Sequence, residues 1–261
     1  MKKRSVIVAI VVAVAAVLGI GVFLLAPRST NEISGEQAVG DFRSRNKAET
    51  TTTVEERATP QPGVYTFSAS GQETVKLGPL PAENRALGAS ITAVAEDDGA
   101  GCFNWTFNMF AEHTETTRYC ADGDDALLID VHTKNQTIGG LSPVVTMTCD
   151  PNRLSLTPGS TTDLKCQLQV SGGPFAVTAE LGGTAAARSA ETVTVGGEDV
   201  EATPVTIDLP VSGDVNGRWT ETTWWGPTNL PVRFERTFDL QGPASFQEQI
   251  ELNLESLEPA T

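Results

Sequence analysis

Gly101-Cys-Phe-Asn-Trp-Thr-Phe-Asn-Met-Phe110 decides the fold. Phe103, Trp105, Phe107 and Met109 fall on one face of an extended chain, and Asn104, Thr106 and Asn108 fall on the other. That period of two is the mark of a half-buried antiparallel strand. Runs of the same kind lie before it, at residues 64–70, 74–77 and 90–95. Others follow at 113–120, 126–133, 143–149, 164–170, 174–181, 191–195 and 204–209. Gly, Asp and Pro clusters separate them, and no helical period is visible after residue 63. The spacing predicts an all-β domain over residues 63–261, an antiparallel meander sheet curved into a half-barrel or folded as a sandwich.

The last three runs are the most regular. Arg218 to Trp225, Leu230 to Leu240 and Ser245 to Leu254 are joined by short segments carrying Gly and Pro, as in a meander. Val232, Phe234, Phe238 and Leu240 alternate with polar residues, as do Phe246, Ile250, Leu252 and Leu254. Arg236 interrupts the first apolar face and Glu248 the second. With Phe238 opposite Phe246, Arg236 falls opposite Glu248, which predicts an inner-face ion pair. A charge left there alone would cost several kcal/mol.

Working outward to the N-terminus, residues 5–26 contain no ionisable side chain. As a helix they would reach about 33 Å, enough to cross a hydrocarbon core of about 30 Å. Lys2, Lys3 and Arg4 precede the run and Arg28 follows it. The excess of positive charge at the start predicts a signal-anchor with residues 1–4 cytoplasmic and everything after Pro27 extracytoplasmic. A cleaved signal peptide would need a shorter core and a small-residue cleavage site, and here Ala26 runs into Pro27. Residues 27–62 are polar and rich in Thr and Pro, so they predict a flexible stalk. Within it, Ser34 three residues before Gln37, with Ala38, Val39 and Phe42 at helical spacing, outlines a short capped helix.

All four cysteines, Cys102, Cys120, Cys149 and Cys166, lie beyond the stalk. In an oxidising compartment an even set implies disulfides, with three possible connectivities. The near-equal spacings favour the sequential pairs Cys102 to Cys120 and Cys149 to Cys166. A metal is disfavoured, because there is no C-x-x-C and neither His113 nor His132 sits in a ligand motif.

Net charge is −15, and from Gly63 onward Asp and Glu outnumber Lys and Arg 27 to 10. Such a domain repels nucleic acid. Serine-hydrolase, zinc-protease, phosphate-loop and dinucleotide motifs are all absent, and two histidines leave few bases for a nucleophile. The acid clusters Glu96-Asp97-Asp98 and Asp122-Gly-Asp-Asp125 lack the ligand spacing of a calcium loop and are expected to be turns. The composition therefore points away from an enzyme and implies no cofactor. Trp219 and Trp225 share a face with Glu221 and Thr223, whereas Trp224 points the other way, a candidate surface anchor.

Glu191-Thr-Val-Thr-Val-Gly-Gly-Glu-Asp-Val200, Trp224-Trp225, Leu230-Pro-Val-Arg233 and the tail from Phe246 to Pro259 resemble uncharacterised actinobacterial proteins with one membrane anchor, a polar stalk and a secreted β domain. A meander with an aromatic inner face also looks like the half-barrel of LolA-type and LppX-type lipoprotein carriers, although the lipid-modified cysteine and lid helices of that group are missing here. The first likeness implies a cell-envelope location. The second implies an amphiphile or envelope component held on an inner face that includes Phe103, Trp105, Phe107, Trp219, Trp225, Phe234 and Phe238. If that face is filled by its own side chains, the chain is instead a protein-interaction or structural module. Enclosed volume discriminates, since a carrier needs some hundreds of Å³.

Overall fold

The computed structural model describes residues 31–46, 59–78, 81–123, 125–138, 140–172 and 176–261. The anchor expected over residues 5–26 and the cytoplasmic residues 1–4 lie outside these. Among the described residues no helix is long and apolar enough to cross a membrane.

Fifteen strands form one sheet: β1 (Gly63–Leu77), β2 (Glu83–Ala86), β3 (Ser90–Asp97), β4 (Cys102–Phe110), β5 (His113–Ala121), β6 (Ala126–Gln136), β7 (Val144–Cys149), β8 (Arg153–Ser155), β9 (Thr161–Ser171), β10 (Val177–Ala187), β11 (Glu191–Val195), β12 (Glu198–Gly213), β13 (Asn216–Trp225), β14 (Pro231–Gln241) and β15 (Ala244–Leu254). All pairings are antiparallel. Twelve strands close on themselves in the order β10-β9-β7-β6-β5-β4-β3-β1-β15-β14-β13-β12, and β12 returns to β10. The sheet is a closed barrel, not the half-barrel or sandwich expected from the sequence. The seam depends on Gly183, where a Cβ would stand 2.0 Å from the Asp208 carbonyl oxygen. β1 runs unbroken through Gly71, which the sequence marked as a break. Its φ of +127° and the 2.1 Å a Cβ would leave to the Gln249 oxygen suit glycine alone.

Alternation places one face of every strand inside. Phe103, Trp105, Phe107, Trp219, Trp225, Phe234 and Phe238 all point inward and are buried. They stack on one another, with Phe107 5.1 Å from Phe234, Trp219 4.8 Å from Phe238 and Tyr119 5.1 Å from Trp225. The inner face is largely filled by its own rings.

Both disulfides are the sequential ones, Cys102–Cys120 and Cys149–Cys166, and each joins residues directly opposite on neighbouring strands. On β14 and β15 the register differs from the expected one. Phe238 faces Glu248 and Arg236 faces Ile250, because the turn is centred on Pro243 and the partner strand is displaced by two residues. The shift keeps both charges inside, and Arg236 reaches Glu248 diagonally.

Part of the segment expected as a stalk is docked on the barrel. Helix α1 (Gly35–Arg45) is capped by Ser34, whose Oγ accepts from the Gln37 amide at 3.2 Å. Ala38 and Phe42 bury against the outward-facing Val64 and Val94 of the barrel wall. The segment is pinned at both ends. The Ala111 amide donates to the Asn31 carbonyl at 2.8 Å and Asn31 Nδ2 donates to Glu112 at 3.2 Å, while Arg45 meets Glu96 at 3.1 Å.

The barrel ends differ. The β11–β12 hairpin folds over one, burying Val195, Val200 and Ala202, with its tip at Gly196 against the Glu255 carbonyl. At the opposite end, where the β4–β5, β6–β7, β12–β13 and β14–β15 turns gather, no described residue covers the barrel.

Candidate functional site

Two features share the interior, and neither is an exposed catalytic group. The first is a buried charge network. Inward positions of β1, β5, β6, β13, β14 and β15 carry Glu73, His113, Glu115, Lys134, Glu221, Arg236 and Glu248, all buried, and Arg85 of β2 joins them. Arg236 is the hub. It donates to both Glu115 oxygens at 2.6 and 2.8 Å and to Glu248 at 2.5 Å, and it lies 3.7 Å from Glu221. Lys134 Nζ sits 3.1 Å from Glu115, 3.6 Å from Glu248 and 3.6 Å from the centre of the Phe246 ring. His113 lies between Glu73 and Glu115, each at 2.7 Å.

The electrostatics follow from burial set against charge. Burial opposes ionisation of Glu73, but His113, Lys134 and Arg85 outweigh it and draw its pKa down to about 2. Burial also opposes charge on Glu115, where Arg236 and Lys134 win and hold it well below the ordinary value. On His113 burial and Lys134 disfavour the proton, yet Glu73 and Glu115 keep its pKa raised. Glu221 is the exception: burial dominates, Arg236 is only a distant partner, and its pKa rises to about 7. His132, buried with Thr117 at 2.8 Å, is pushed down to about 4 and is neutral.

Glu73, His113 and Glu248 bring one ligand atom each within 4.8 Å of the others. The charge of this trio is already met by Arg85, Lys134 and Arg236, so a metal ion there would face three competing cations. His113, facing two carboxylates, has no free lone pair with which to activate a nucleophile.

The second feature is the open end. A cavity of about 110 Å³ enters the barrel there, lined by Ile138, Leu141, Val145, Val170, Val177, Val215, Leu240 and Phe246, with Trp219 and Phe238 deeper. Lys134, His132 and Gln136 underlie it. A further space of about 30 Å³, beside Glu115, Glu221 and Arg236, is large enough for a water molecule. Of the aromatic residues expected to hold a ligand, Trp219 and Phe238 line the mouth, whereas Phe103, Trp105, Phe107, Trp225 and Phe234 pack elsewhere in the interior. Trp224 does point out of the barrel, but it is no free anchor. It is 4% exposed, its Nε1 donates to Glu191, and the Arg233 guanidinium lies 4.7 Å from its ring.

Sequence reasoning found Arg236 and Glu248 and missed Glu73, His113, Glu115 and Lys134. The usable signal was the same one: a charge at the inward parity of an alternating strand, as Lys134 is with His132 and Gln136.

Among the described residues, fold and site define a closed antiparallel barrel with a paired charge network inside, an apolar mouth, and the ring nitrogens Trp105 Nε1, His132 Nε2 and Trp225 Nε1 buried without a hydrogen-bond partner. The chain matches no family model, no curated protein and no solved structure.

Proposed function

We propose that this chain is a non-catalytic binding module of the cell envelope, anchored through residues 5–26, whose ligand enters the barrel mouth end-on. The observation that carries this reading is the apolar cavity of about 110 Å³ at the end opposite the β11–β12 hairpin. An engineered apolar cavity of about 150 Å³ takes up benzene, so this volume suits the tip of a hydrocarbon chain or a small apolar group and not a whole amphiphile. The paired cysteines support an oxidising, extracytoplasmic compartment. A second reading, a protein-interaction or structural module, draws on the filled interior, which leaves less room than the some hundreds of Å³ of an enclosing carrier.

The test is thermal melting of the chain from Asn31 onward with a series of primary alcohols from butanol to decanol. Binding in the mouth raises the melting temperature as the chain lengthens to the depth of the cavity and no further, and Leu141→Glu abolishes the rise. A flat response across the series in the unaltered protein removes the ligand-binding reading in favour of the interaction module.

A further inference from the structure

The mouth and the tether lie at the same end of the barrel. Asn31 is fixed to Ala111 and Glu112 of the β4–β5 turn, one of the turns that surround the opening. The apolar run ends at Ala26, so only residues 27–30 separate it from a point held on the barrel. The five steps from Ala26 to Asn31 span at most about 18 Å even when fully extended. The polar zone of a bilayer occupies roughly 5–8 Å on each side of its hydrocarbon core. Helix α1 then runs along the outside of β1 and β3 toward the closed end, where Arg45 meets Glu96, so the remaining length up to Gly63 adds nothing to the tether.

Charge is distributed to match. Among the described residues of the turns around the mouth, the charged side chains are Glu112 and Asp214, beside apolar Leu141, Pro143, Val215 and Pro243. The described turns of the closed end carry Asp98, Asp122, Asp125, Asp150, Glu255 and Glu258 against Arg188, with Arg118 paired to Asp98 and Arg153 to Asp122 and Asp125. An anionic membrane surface would repel that end and tolerate the other.

We infer that the open end faces the bilayer in which the chain is anchored, and that the mouth receives the terminal segment of a phospholipid acyl chain from the adjacent leaflet. This rests on the reading of residues 5–26 as a membrane span and of the mouth as a binding site. It names the ligand class and the direction of entry. Entry from the leaflet requires the chain to fold back toward the surface, so that its methyl end leaves the bilayer interior for the apolar cavity while its ester and headgroup stay at the surface.

The full chain reconstituted in vesicles of phosphatidylethanolamine and phosphatidylglycerol, doped with a phospholipid carrying a terminal diazirine on one acyl chain, tests this. After illumination, adducts are mapped by mass spectrometry. Label is expected on mouth peptides containing Leu141, Val145 or Leu240, and not on the closed-end hairpin 191–201. Leu141→Glu should abolish it while leaving the melting transition in place. Inserting twenty Gly-Ser residues between Thr30 and Asn31 should lower it at least about threefold, because effective concentration falls steeply with tether length. Equal labelling of both ends, or labelling indifferent to the insertion, overturns the inference. Alkaline carbonate extraction separates its premises: protein released from the vesicles shows that residues 5–26 do not anchor, which defeats it at the tether. Protein that stays embedded, responds to alcohols and takes no lipid label keeps the mouth as a site and loses the lipid.

Discussion

Replacing Arg236 with Met removes the hub of the buried network while keeping most of its volume. Three carboxylates lose a partner: Glu115 at 2.6 Å, Glu248 at 2.5 Å and Glu221 at 3.7 Å. Removing one member of a buried pair costs about 3–5 kcal/mol, and here Lys134 still compensates Glu115 and Glu248 in part, so the lower half of that range is expected. For a domain of this size each kcal/mol moves the melting temperature by about 2–4 °C, so the fall at neutral pH should be about 6–16 °C. The pH dependence is diagnostic. In the unaltered protein Glu115 is held below its ordinary value, so its contribution is present above pH 4.5 and is lost as pH falls. The penalty of Arg236→Met should therefore be largest near pH 7 and shrink below pH 4.5, where the orphaned carboxyls take up protons. Adding Glu115→Gln should recover part of the loss, and calorimetry on the four proteins of the double-mutant cycle gives the coupling. A fall under about 3 °C at pH 7, or strict additivity in the cycle, would refute the hub argument.

Three further outcomes are expected. Glu221 has a folded pKa of about 7 against an ordinary 4.5, so its contribution is full below pH 4.5 and is lost as pH rises toward 7, by about 3 kcal/mol; Glu221→Gln should be level with the parent at pH 4 and more stable at pH 8, as read by urea unfolding. Replacing both Cys149 and Cys166 with Ala opens a loop with a sequence separation of 17 and should cost about 3 kcal/mol under non-reducing conditions. Gly183→Ala forces β10 away from β12, and hydrogen exchange should accelerate along Thr184–Ala187 and Val205–Asp208 before it does in β14 and β15.

Strand content was legible because apolar and polar residues alternate so cleanly on β4, β14 and β15. Closure was not, because whether the sheet's edges meet depends on β1 pairing with β15, at opposite ends of the domain, and on β10 pairing with β12 across β11, where the fit lies in backbone approach at Gly183. Three-residue β8 and four-residue β2 are too short to show a period. The short helix announced itself through Ser34 and Gln37, but its docking onto Val64 and Val94 could not be read, since both valines look like ordinary members of strands facing either way. The charge network was half visible. Arg236 and Glu248 stand out because their neighbours on the same face are large and apolar. Glu115 stands among Thr114, Thr116 and Thr117, where its inward direction leaves no trace in composition.

The seam between β10 and β12 has a consequence for how this molecule can keep company. A sheet joined end to end offers no row of unsatisfied amides and carbonyls along its main wall, so a neighbour cannot extend it by laying down another strand. Only brief fringes such as β2, β8 and β11 remain unpaired on one side. At high density, copies of this chain are thereby protected from zipping together laterally through the main wall.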